Sequence, residues 1–86
     1  MDLDALLYHY FGTEDPDTLD ERAFEAGQQR LGIDFGIERD PGRRFALWAL
    51  MYSLGTAPAP DRAFKDKRER MAAEAYARIA GRADRT

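Results

Sequence analysis

An all-α fold follows from two features of this 86-residue chain. Residues 45–54, Phe-Ala-Leu-Trp-Ala-Leu-Met-Tyr-Ser-Leu, are apolar on every face of a helix, so the segment needs neighbours on all sides. Valine is absent, isoleucine occurs three times and threonine four, against fourteen alanines and eleven arginines. That balance favours helix and starves a sheet of β-branched residues. The expected architecture is a small four-helix bundle-like domain over residues 1–81, with the third helix, about 41–54, at its centre and residues 82–86 as a polar tail.

The first helix is expected over about 3–11, with Asp2 as N-cap and Gly12 ending it. Leu3, Leu6, Leu7, Tyr10 and Phe11 fall at i, i+3, i+4, i+7 and i+8 and make one inward stripe, leaving Asp4, Tyr8 and His9 outside. After an acidic connector containing Pro16, Thr18 and Glu21 have capping-box spacing and predict the start of the second helix. Its inward set is Leu19, Ala23, Phe24, Gly27 and Leu31. Gly32 followed by Ile33 predicts a left-handed stop or kink, while Leu31 to Phe35 and Ile33 to Ile37 keep helical spacing and allow the rival reading, continuation to about Arg39.

Asp40-Pro41 predicts the third helix: an N-cap, then proline at the first helical position, where its missing N–H is no loss. Leu47, Leu50, Met51 and Leu54 form an aliphatic side, Phe45, Trp48 and Tyr52 an aromatic side. The segment from Gly55 to Pro60 reads as a linker, and Phe64 as an anchor into the core. The fourth helix is expected from about Asp66, capped by that residue with Glu69 three places on, to about Ala80 before Gly81. Met71, Ala72, Ala75, Tyr76 and Ile79 are its expected inward set, and Arg70, Glu74 and Arg78 an outward charge ladder.

Composition narrows the function classes. The chain has no cysteine, which excludes disulfides, thiolate nucleophiles and Cys-ligated zinc and suits a reducing compartment. Its N-terminus lacks the basic and apolar regions of a secretory signal, and its longest apolar run is about half of what a membrane span needs. A cytoplasmic protein with no membrane association is expected. Charge is divided: residues 1–40 hold eleven acids and three bases, residues 41–86 five acids and ten bases. Complementary packing of the two halves accounts for this, and a basic face for an anionic partner is the sharper alternative.

No residue pattern points to catalysis, a cofactor or a metal. His9 stands alone and cannot make a zinc site, and the acids from Glu14 to Glu21 miss the spacing of a calcium loop while suiting the dipole of the helix that follows. Arg39, Arg43 and Arg44 surround the start of the third helix and are the candidate anion site, although Asp40 competes for the same amides. Lys65, Lys67, Arg70 and Arg78, with Arg62, Arg68, Arg82 and Arg85, are the candidate phosphate contacts for a nucleic acid. Against that use, the whole-chain pI is acidic and the linker is too long for a helix-turn-helix. Phe45, Trp48 and Tyr52 are the candidate interface, toward a protein partner or a second copy, unless their own chain covers them. The function expected from this reading is a small non-enzymatic interaction or regulatory module working through a helical surface. The alternatives are a nucleic-acid-associated accessory protein using the basic half, or a small anion-binding protein.

Overall fold

A computed structural model describes residues 2–83, with side chains through residue 81. Among these residues the fold is all-α: α1 Leu3–Phe11, a 3-10 turn Pro16–Thr18, α2 Glu21–Ile37, α3 Pro41–Ser53, a one-turn α4 Pro60–Ala63, and α5 Lys67–Ala83. Helix α3 packs on α1, α2 and α5, and α4 packs on α5. The molecule measures 37 × 35 × 20 Å. Its thin dimension is about two helix diameters, so the helices other than α3 keep an outer face.

Local chemistry sets the boundaries. Asp2 accepts from Ala5 N–H, Asp40 from Arg43 N–H and Asp66 from Glu69 N–H, each satisfying an amide that lacks a partner within its helix. Helix α3 ends in a Schellman arrangement: Gly55 takes a φ of 80°, its N–H donates to Tyr52 O, and Thr56 N–H donates to Met51 O. Only glycine adopts that backbone at no steric cost.

Helix α2 departs from expectation at both ends. Its N-cap is Asp20, whose Oδ1 accepts from Ala23 N–H at 2.7 Å, whereas Thr18 closes the preceding 3-10 turn by donating to Asp15 O. Glu21 is therefore the first helical residue and makes no capping box. The expected break at Gly32 is absent, and the rival reading describes the chain: the helix runs on to Ile37. Carrying Gly32 and Gly36 within the helix costs about 1 kcal/mol each, while continuing the helix buries Phe35, an apolar gain of roughly 1.5–3 kcal/mol. Pro41 supplies the real stop, because it holds Asp40 in an extended conformation. Continuity also turns Ile33 and Ile37 to solvent, and in the first turn Ala23, expected inward, is exposed. Gly27 is the glycine that matters for packing. A Cβ there would overlap the Phe11 ring and stand 2.9 Å from Tyr10 O, so this position lets α1 cross closely.

The apolar segment 45–54 occupies the interior. Leu47, Trp48, Ala49 and Leu50 are each at most 1% exposed, and Phe64 anchors α4 against them at 2%. The Trp48 indole N–H donates to Pro58 O at 2.9 Å, so the extended linker after α3 satisfies the one polar atom of the largest core side chain. Phe45, Trp48, Tyr52, Phe64 and Tyr76 touch through offset and edge contacts with centroids 5.5 to 6.2 Å apart.

The fourth predicted helix, α5, is longer than expected and rotated. It continues through Gly81 to Ala83, so the predicted polar tail begins as helix; residues 84–86 lie outside the described residues. Its buried face is Ala73, Tyr76 and Ala77, with Ala73 at 0% exposure, while Met71 and Ile79 are 57% and 68% exposed. Size explains the rotation. The α3 side facing α5 is aromatic, and bulky rings require small residues opposite, so the alanine stripe goes inward and the methionine and isoleucine go out.

Candidate functional site

The three arginines at the start of α3 do not converge on one point. Arg44 lies inward: its guanidinium donates to Phe35 O at 3.2 Å and Ala63 O at 2.5 Å, and its carbon stands 4.0 Å above the Phe35 ring. It ties the ends of α2 and α4 to α3 and satisfies a terminal carbonyl of each. Arg43 pairs with Glu38 at 2.6 Å, the only ion pair among the described residues. Glu38 in turn accepts from the backbone N–H groups of Arg39 and Asp40. Asp40 occupies Arg43 N–H at the helix start. The cleft beside these residues, about 470 Å³, is lined by Arg39, Arg44 and Lys65 but equally by Glu38, Asp66 and Glu69. With its charges balanced and Arg44 engaged, the arrangement holds the fold together; Arg39 and Arg43 are exposed, and Arg39 is the member of the trio whose side chain makes no ion pair among the described residues.

The aromatic candidates divide similarly. Trp48 is 1% exposed and shielded by its own chain, the condition under which the sequence reading makes it core. Phe45 and Tyr52 are half-buried, and the Tyr52 hydroxyl donates to Ala77 O at 3.1 Å. Both serve chiefly to seat α5.

Of the expected phosphate contacts, Lys67 and Arg78 share a surface. Arg70 is half-buried on another side of α5, and Lys65 lies in the connection before it, lining the balanced cleft. The expected ladder of Arg70, Glu74 and Arg78 forms no ion pair.

What α5 does present is an apolar stripe bordered by three cations, Lys67, Arg68 and Arg78, with Glu74 exposed at the edge of the arc. At about 100° per residue, Lys67, Arg78, Met71, Ala75, Arg68 and Ile79 follow one another round an arc of about 120°. Lys67, Arg68, Met71, Arg78 and Ile79 are exposed, and Ala75 is half-buried between Met71 and Ile79. By hydrophobicity alone Met71 and Ile79 belong inside. The signal that separates the stripes is size complementarity with Phe45, Trp48 and Tyr52.

Elsewhere the polar groups serve structure. Tyr10 is buried and donates to Asp34 Oδ2 at 2.6 Å; burial first, then that hydrogen bond and the negative charge of Asp34, push its phenol up to about 12. His9 is exposed, with its ring edge-on to Tyr10. A second cleft of about 520 Å³ is lined by Leu19, Phe24 and Leu54 and by Asp17, Asp20 and Glu21, of which Asp20 is engaged as the α2 cap. No group of three His or carboxylate side chains is placed to hold a metal ion among the described residues. No helix among them is long and apolar enough to cross a membrane. Comparison of the chain with protein-family models, with curated proteins and with solved structures finds no match.

Proposed function

We propose that this chain is a small non-enzymatic protein-interaction module that works through the outward face of α5. One observation carries the reading: Met71 and Ile79, two turns apart on one helix side, are 57% and 68% exposed while the core is complete without them. Isolated exposed apolar residues are ordinary. Here two large ones share a face with a small residue between them, the pattern from which helix-to-helix contacts are made.

The test is a comparison of the wild-type chain with Met71→Glu and Ile79→Glu variants as baits. Both variants are expected to fold with unchanged unfolding midpoints and to lose the proteins that the wild type retains. Retention of every partner by both folded variants refutes the reading.

A second reading, association with nucleic acid, draws on Lys67, Arg68 and Arg78, which are exposed on that face and make no ion pair among the described residues. Phosphate contact makes no use of Met71 and Ile79, which is why it ranks second. Titration with DNA and RNA at two salt concentrations separates the readings: binding that falls steeply with salt and survives the Met71→Glu change favours nucleic acid.

A further inference from the structure

We infer that the partner accepted by the outward face of α5 is an acidic amphipathic helix. The inference rests on the interaction reading and adds the partner's shape and charge.

Shape comes from the stripe itself. Met71 and Ile79 stand as two projections about 12 Å apart along the axis, at 1.5 Å per residue, with Ala75 between them. That spacing leaves a hollow over Ala75, open to a side chain from a facing helix, while the two projections fall on either side of it. A flat or extended partner leaves the hollow unfilled.

Charge comes from what surrounds the stripe. Lys67 and Arg68 lie at its N-terminal end and Arg78 at its C-terminal end, all exposed; Glu74 is the one exposed carboxylate beside them on α5, and none of the three cations pairs with it or with another carboxylate among the described residues. An approaching helix with Asp or Glu beside its apolar residues meets opposite charge at both ends, where such pairs speed encounter and reject the wrong partner. A second copy of α5 fits poorly, since Lys67–Ala83 contains five basic and two acidic residues and self-pairing sets like charges against one another. No carboxylate of the acidic first half pairs with α5 among the described residues; the one ion pair there joins Glu38 to Arg43 of α3.

The experiment titrates the isotope-labelled full chain with two helix-forming peptides of the length of α5. Both carry leucines at the same i, i+3, i+4 positions, one flanked by glutamates and the other by lysines. The glutamate peptide is expected to shift the amide signals of Met71, Ala75 and Ile79. It should bind at least about tenfold more tightly than the lysine peptide, and lose about tenfold between roughly 0.05 M and 0.3 M salt. In the Lys67→Glu/Arg78→Glu double variant the preference is expected to reverse, which a merely destabilised protein does not do.

Equal binding of both peptides at α5 overturns the acidic partner and leaves the interaction reading standing. Failure of both peptides to bind overturns the inference, as do shifts that map outside α5. Concentration-dependent dimerisation, or binding of duplex DNA or anionic vesicles through this face in place of the glutamate peptide, likewise replaces the acidic helix. The interaction reading itself fails separately, by retention of the wild-type partners in the folded Met71→Glu and Ile79→Glu variants.

Discussion

The Tyr52 hydroxyl donates to the carbonyl oxygen of Ala77 at 3.1 Å and thereby fixes the rotation of α5 about its own axis. Both residues lie toward the core: Tyr52 stacks on Trp48, and Tyr76, beside Ala77, meets the rings of Phe45, Trp48 and Tyr52 edge-on or tilted. With that side held, Met71 and Ile79 are left facing outward. The surface proposed to act is a consequence of how aromatic and small residues fit inside.

Trp48 fills the middle of this arrangement and is 1% exposed. Replacing it with alanine removes the ring contacts and leaves a large cavity, with an expected loss of about 3 to 5 kcal/mol. Urea unfolding checks this, and a Trp48→Ala chain of native stability shows the ring to be dispensable.

Arg44 is expected to behave unlike its neighbours. Arg44→Ala leaves Phe35 O and Ala63 O without their charged donor and uncovers Phe35, a loss of roughly 2 to 3 kcal/mol. Arg44→Lys recovers little of it, since an ammonium cannot stack and reach both carbonyls. Arg39→Ala, at an exposed position, is expected to stay within about 0.5 kcal/mol of wild type. Three unfolding midpoints decide the matter, and equal effects at Arg39 and Arg44 contradict it.

The glycines of α2 are expected to respond in opposite directions. Gly32→Ala places a methyl group in open space within a helix and should stabilise the chain by about 0.5 to 1 kcal/mol. Gly27→Ala drives a methyl group into Phe11 and the backbone of Tyr10, and should destabilise it by about 1 to 3 kcal/mol. A destabilising Gly32→Ala would mean that the helix is interrupted there after all.

Much of this fold is legible in the sequence because its signals are local. Asp2, Asp40 and Asp66 announce helix starts, Pro41 confirms one of them, and the apolar run around Trp48 marks the interior. Three features are not legible, each for a physical reason. Thr18 and Asp20 are both good caps two residues apart, and only the 3-10 turn that uses the Thr18 hydroxyl leaves the role to Asp20. Gly32 carries the same letter whether it ends a helix or sits inside one, and burial of Phe35 downstream decides between them. Helix α5 has two apolar stripes, and the choice depends on the bulk of residues some twenty-five positions earlier, as in the bond from Tyr52 to Ala77.

Tyr10 gives a pH signature. Its phenol is pushed up to about 12 by burial and by Asp34, so the folded state holds this proton more tightly than the unfolded chain, where the ordinary value is about 10. The contribution is therefore complete below pH 10 and is lost as pH rises toward 12. Tyr10→Phe is expected to cost about 1 to 2 kcal/mol at neutral pH, and its deficit relative to wild type should shrink over that interval. Unfolding curves of both proteins at pH 7, 10 and 12 test the sign; a deficit that grows with pH contradicts it.

The proposed surface exists because α5 turns its Ala73 and Ala77 side inward and its Met71–Ile79 side to solvent. The most direct test is the urea unfolding midpoint of the Met71→Gln/Ile79→Gln double variant. With both side chains at the surface, its stability stays within about 1 kcal/mol of wild type. A loss of about 4 kcal/mol or more, the scale of emptying two core sites, would place those side chains in the interior and contradict the account.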